Sequence, residues 1–243
     1  MGKNNNEYWN TNETVLGLLG VAPYATIDFL KKISDLTPTE KDWDHIRIIL
    51  DSNTKIPSRG RALDLGEESP VKYMREAIIG LKNSGADFVI ILCNTAHIFY
   101  DEVVKELGVE VLNMITETLN YVLKNNKEIL SLGVLGSNNT VKYKLYDKYC
   151  PNNTNLIIHY PDDDQKIVAD IIERVKQGET SKILKSRLVK VADKLIKKKE
   201  HADGIILGCT ELSTLLKNGD LTVPVFDSSE ILAKVAINKI KAM

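Results

Sequence analysis

Residues 86–95 read ADFVIILCNT, and residues 202–211 read ADGIILGCTE. Each stretch is an Ala-Asp pair, an apolar run, and a cysteine with a threonine within two positions. An apolar run without polar alternation suits a parallel strand buried on both faces. The stretches lie 116 residues apart, as do LGLLGVAPYAT from Leu16 and LGVLGSNNTVK from Leu132. Cys93 and Cys209 keep the same offset, and VEVLNMITETL from Val109 matches VPVFDSSEIL from Val223 at an offset of 114. A period this long is not that of a solenoid. It implies two related α/β halves whose equivalent strand ends meet at a cleft, where α/β folds bind ligands.

The rest of the chain fits that plan. Short apolar runs predict strands over 15–19, 45–50, 88–92, 110–112, 131–135, 155–159, 204–207 and 223–226. Amphipathic stretches predict helices over 25–34, 70–84, 96–107, 115–125, 141–148, 164–177, 180–199, 212–217 and 229–241. Gly85, Gly108, Gly178 and Gly219 follow helices, where left-handed caps belong. The expected fold is α/β, with two pseudo-symmetric lobes, each a mainly parallel sheet flanked by helices, and the site in the cleft between them. The first lobe takes 14–114 plus 227–243, the second 115–226, and 1–13 reads as a flexible tail.

Composition excludes several classes. With 32 basic and 33 acidic residues the net charge is −1, so no nucleic-acid partner is expected. Lys197, Lys198 and Lys199 read as a solvated helix end. No apolar run approaches the roughly 18 residues of a membrane span, and the polar start lacks a signal-peptide core. Cytoplasmic localisation is the expectation. Three cysteines give no disulfide framework, and no close CxxC or HxxxH pair suggests a metal. Asp162-Asp163-Asp164 lacks the Gly and terminal Glu of a calcium loop and reads as a turn before an acidic helix start.

The chemistry gathers at the two cysteines. Each stands where a strand ends and a helix is expected, with Asn94 or Thr95, and then Thr210, as N-caps. A helix start offers free N–H groups and positive potential, which hold a carboxylate and lower a thiol pKa. Two thiols on opposite walls suit inversion at an α-carbon, one removing a proton and the other returning one. Either cysteine alone would read as a buried structural residue; the repeat favours the paired reading. Cys150, outside the repeat, reads as structural. His97 either orients substrate and biases the Cys93 thiol or is a structural histidine. Glu211 either bonds within the site or caps the helix.

CNTAH at 93–97 together with GCTE at 208–211 resembles the aspartate/glutamate racemase superfamily, and most closely its aspartate racemase branch. Glutamate racemases of the cell-wall type usually carry Asp-Ser in the first loop and His after the second GCT; here Glu211 follows. The resemblance implies a cofactor-independent, metal-free enzyme, a homodimer, that interconverts L- and D-aspartate, with glutamate as a possible further substrate. Cys93 and Cys209 match the catalytic thiols, and Asn94, Thr95 and Thr210 match positions that hold the α-carboxylate. Ile56-Pro57-Ser58-Arg59 resembles the I-P-D-R segment whose Arg binds the acidic side chain, with Ser58 in place of Asp. Lys176 matches a second contact to that carboxylate. For Arg59 the alternative is a surface loop residue, and for Lys176 a solvated last turn. The first loop departs from G-G-M-G-P-x-A-T but keeps Pro23, Ala25 and Thr26; the equivalent loop of the second half, Gly136-Ser137-Asn138-Asn139-Thr140, is rich in hydrogen-bond donors, with an ordinary turn and N-cap as its alternative, and Pro23 and Thr140 are expected to contact substrate. Hydantoin racemases, maleate isomerases and a non-catalytic binder of acidic amino acids remain as alternatives.

Overall fold

Strands form where the sequence is continuously apolar. In the computed structural model, which describes residues 13–197 and 201–243, β1 (Leu16–Gly20), β2 (Ile48–Ser52), β3 (Phe88–Leu92) and β4 (Glu110–Leu112) build one sheet in the order β2-β1-β3-β4. The second sheet holds β5 (Ser131–Gly136), β6 (Ile157–His159), β7 (Gly204–Gly208) and β8 (Val225–Asp227) in the order β6-β5-β7-β8. Every pairing is parallel. The two sheets share one topology, as the repeat requires.

The Ala-Asp pair of each repeat has a structural task. Asp87 Oδ2 accepts from the Val15 N–H at 2.7 Å, fixing the entry of β1. Asp203 Oδ2 accepts from the N–H groups of Leu130 and Ser131, both at 2.9 Å, fixing the entry of β5.

Helices cover both faces of each sheet. α1 (Pro23–Leu36) and the C-terminal α10 (Ser228–Ala242) bury Phe29, Ile33, Leu232 and Ala236 against Leu16, Leu18, Phe88 and Ile90. α3 (Val71–Asn83) lays Met74, Ile78 and Leu81 on the opposite face, against Leu19, Val89 and Ile91. The alternation of sheet residues between these two clusters is the period-2 pleat. On the second sheet, α8 (Gln165–Lys176) and α9 (Lys182–Lys197) pack against Leu135, Ile205 and Leu207. α5 (Met114–Asn125) packs on the other face, against Leu132, Val134 and Ile206. Each fully buried Leu, Ile or Phe contributes about 1.5–3 kcal/mol.

All eight expected strands are present, their ends shifted by at most three residues. The helices depart more. The stretch 96–107 is a 3-10 turn (Asn94–Phe99) followed by a short α4 (Tyr100–Val104). The stretch 141–148 divides into α6 (Asn138–Lys142) and α7 (Leu145–Lys148), with Lys144 in the left-handed region between them. The helix expected over 212–217 is one 3-10 turn, because the Ser213 and Thr214 hydroxyls bond back to the carbonyls of Thr210 and Glu211, both at 2.8 Å. α2 (Arg59–Leu65) forms where the sequence pattern predicts no helix. The tail up to residue 12, together with Lys198 and Lys199, lies outside the described residues. Among the described residues no helix is long and apolar enough to cross a membrane.

Candidate active site

In each sheet the chain leaves the first strand toward one edge and returns on its other side. This leaves a crevice beyond the carboxyl ends of β1 and β3, and another beyond β5 and β7. Cys93 directly follows β3 and Cys209 directly follows β7. Both line one cavity of about 590 Å³. Eight of the residues singled out from sequence share its wall: Arg59, Cys93, Asn94, Thr95, Lys176, Cys209, Thr210 and Glu211.

Three do not. Pro23 is the exposed first residue of α1, where a missing N–H costs nothing, and Val21 and Ala22 line the cavity instead. Thr140 is fully buried behind the wall, packed over Gly136, where an added Cβ would stand 2.8 Å from the Thr140 methyl. Thr26 covers Gly20 in the same way, so these threonines are matched packing devices of the two halves. His97 is fully buried: Met114 N–H donates to Nε2 at 3.0 Å, so Nδ1 carries the proton and donates to the Cys93 carbonyl at 2.9 Å. Burial draws its pKa down to about 4, against the opposing pull of its backbone hydrogen bonds. It is a neutral brace behind the strand exit.

The two thiols differ. Cys93 is partly exposed, whereas Cys209 is buried and its Sγ donates to Glu211 Oε2 at 3.0 Å. Thr210 Oγ1 donates to the same oxygen at 3.2 Å. Burial pushes the Cys209 thiol well up, and the charge and hydrogen bond of Glu211 add to this; the Lys176 ammonium opposes, and Cys93 pushes further up. The lowering expected from a helix start is therefore reversed at Cys209. A three-residue 3-10 turn carries little dipole, and the group facing the sulfur is a carboxylate.

The expected caps do not cap: Cys93 and Glu211 hold the N-cap positions of the turns after β3 and β7, neither with a side-chain cap bond, and the side chains of Asn94 and Thr95 bond elsewhere. Asn94 Nδ2 donates to Ser228 Oγ at 3.1 Å, and Asn94 Oδ1 accepts from the Tyr146 hydroxyl at 2.8 Å. Thr95 Oγ1 shares a hydrogen bond with Ser137 Oγ at 2.8 Å. These bonds tie the loop after β3 to elements that follow β5 and β8.

Arg59 opens α2, which is capped by Ser58, whose Oγ accepts from the Arg61 N–H at 3.3 Å. Ser and Asp serve about equally as N-caps, so the cap of α2 does not require an Asp at position 58. Arg59 Nε is buried without a partner. Lys176 ends α8 and pairs with Glu173 at 2.7 Å. Burial alone would lower the Lys176 pKa; Glu173, Cys209 and Glu211 outweigh it and keep the group an ammonium. α2 reaches across to the second half, where Asp64 accepts from Asn139 Nδ2 and Lys142 Nζ, both at 2.9 Å. Sequence reading missed Asp64, Ile172 and Glu173 on the wall; Ser137 and Asn139 belong to the donor-rich loop in which only Thr140 was expected to contact substrate. Glu173 could have been found from its i,i+3 spacing to Lys176; Asp64 carried no signal.

A family model described as Asp/Glu/Hydantoin racemase matches residues 18–236. The chain is 28% identical over 229 residues to the broad specificity amino-acid racemase RacX of Bacillus subtilis (strain 168), spanning 92% of this chain and 97% of that one. It is 28% identical over 201 residues to the glutamate racemase of Aquifex pyrophilus, spanning 80% of this chain and 73% of that one. The solved structure of Picrophilus torridus aspartate racemase superposes with a TM-score of 0.80 at 30% identity, covering 94% of each chain.

Proposed function

The chain belongs to the Asp/Glu/hydantoin racemase family, and from that premise we propose that it interconverts L- and D-aspartate, with glutamate as a second substrate, by two-base proton transfer between Cys93 and Cys209. The observation that carries this reading is one cavity with a thiol at each of its two equivalent strand ends. One sulfur, as thiolate, takes the α-proton; the electron pair left on Cα delocalises into the α-carboxylate. The other sulfur, as thiol, returns a proton to the opposite face, and thiol and thiolate have then exchanged places. Cys209, bonded to Glu211, starts as the proton donor.

The side chains of Asn94, Thr95 and Thr210 are engaged with protein partners. The α-carboxylate is therefore assigned to the peptide N–H groups that open the two turns, at Asn94, Thr95 and Thr210. Donors fixed there stabilise the charge as it develops. Arg59 and Lys176 supply positive charge for the side-chain carboxylate. A hydantoin has no α-carboxylate and would leave the peptide N–H groups of this set unused.

A broader reading has one observation in its favour. About 590 Å³ falls within the ~300–1,000 Å³ typical of sites for drug-sized ligands, which leaves room beyond an aspartate. The relative from Bacillus subtilis carries a broad-specificity name. Incubation with a panel of L-amino acids in the absence of pyridoxal, read by chiral chromatography, decides the substrate range. The proposal expects aspartate and glutamate among the fastest, and racemisation of neutral amino acids alone would overturn it.

A further inference from the structure

Two residues of the cavity wall each carry a buried polar atom with no hydrogen-bond partner: the donor Arg59 Nε and the acceptor Asn139 Oδ1. Asn139 is 5% exposed. Its amide orientation is fixed, because Nδ2 donates to Asp64 Oδ2 at 2.9 Å and the reverse would set two oxygens against each other. A Cβ on Gly60 would stand 3.4 Å from Asn139 Nδ2, so Asn139 packs beside the residue that follows Arg59. The carboxylates on the same wall are engaged: Asp64 by Asn139 and Lys142, Glu173 by Lys176, and Glu211 by Cys209 and Thr210. A buried acceptor with nothing to donate to it is unfavourable and marks a place for a ligand donor.

We propose that Asn139 Oδ1 accepts a hydrogen bond from the α-ammonium of the substrate and so selects amino acids over carboxylic acids that lack nitrogen. This rests on the amino-acid racemase reading and deepens it. The thiols and peptide N–H groups act on Cα and its carboxylate, and Arg59 and Lys176 on the side-chain carboxylate. The ammonium needs an acceptor, and Asn139 supplies one that is buried and pre-oriented. A site built around such a bond rejects an analogue lacking the donor far more strongly than shape alone can. An unsaturated dicarboxylate such as maleate would leave Oδ1 unmet.

The test compares calorimetric binding of L-aspartate and succinate, which keeps both carboxylates and loses the nitrogen, in the wild type, Asn139→Ala and Asp64→Ala. The wild type should prefer aspartate. Asn139→Ala should weaken aspartate on the order of 10- to 100-fold and leave succinate unchanged, so that the preference collapses. Asp64→Ala removes the carboxylate from the clasp, brings no donor that competes for Asn139 Oδ1, and should keep the preference. An Asn139→Ala variant that loses both ligands equally, or neither, overturns the proposal, as does collapse of the preference in Asp64→Ala. Deuterium exchange at Cα of aspartate, run on the wild type, separates the two levels. Exchange with an unchanged preference in Asn139→Ala sinks the ammonium contact alone; absence of exchange sinks the racemase reading and the contact with it.

Discussion

The exits of β3 and β7 are the same place in two halves of one molecule, yet they have different chemistry. Upstream they match closely: Asp87 and Asp203 fix the neighbouring strand entries, and Gly20 and Gly136 lie under Thr26 and Thr140. Beyond the cysteines they diverge. Cys93 is partly exposed and braced from behind by a neutral histidine, whereas Cys209 is buried against a carboxylate. The common features set the backbone geometry that brings both cysteines to one cavity. The differing features are what the proposed two-base inversion calls for, since it needs one thiolate and one thiol at a time.

The largest effect should come from removing either sulfur. Cys93→Ala and Cys209→Ala should each reduce aspartate racemisation by about 10²–10⁴ or more, measured by polarimetry, while Cys150→Ala should leave the rate unchanged. Full activity in either of the first two variants would break the pairing of the halves.

The brace is specific to the first half and predicts a pH effect. The folded pKa of His97, about 4, lies below its ordinary 6.5, so the unfolded chain binds the proton more readily. This contribution is fully present above pH 6.5 and is lost as pH falls toward 4, for a total of about 3 kcal/mol. Urea titrations at pH 7 and pH 4.5 should show the loss, and His97→Gln should flatten that dependence.

Glu211 belongs to the second half alone. Glu211→Gln removes a charge that pushes the Cys209 thiol up, so the thiol pKa falls. The alkaline limb of the pH–rate profile should move to lower pH; an unmoved limb would mean that Glu211 does not set the protonation of Cys209. Smaller still is the contrast between the strand-entry carboxylates. The Asp203 carboxylate accepts from two backbone N–H groups and the Ser131 hydroxyl, and the Asp87 carboxylate from the backbone N–H of Val15. Asp203→Ala should cost about 2–3 kcal/mol and Asp87→Ala about 1 kcal/mol in chemical denaturation; equal costs would erase the asymmetry.

The strands and the twofold plan were legible because FVIIL and GIIL carry their burial in composition, and a repeat at one offset can be counted. α2 was not legible: RGRALDL buries no residue and is held by its Ser58 cap and by Asp64 reaching Asn139 and Lys142. The cysteines, Arg59 and Lys176 were legible as residues. Their surroundings were not, because whether Glu211 or a helix end faces Cys209 depends on how Ser213 and Thr214 shorten the following helix into one turn. Thr140 and His97 stood in the right segments and turned away from the cavity, a distinction of side-chain direction that periodicity does not encode in short turns.

The central claim is that two sulfurs act from opposite faces of one carbon. Early turnover of L-aspartate in D₂O, with deuterium at Cα measured by mass spectrometry in the separated enantiomers, tests it most directly. Two-base transfer predicts deuterium in the D-aspartate formed and protium retained in the L-aspartate recovered; equal labelling of both enantiomers from the first turnovers would mean a single base and would contradict it.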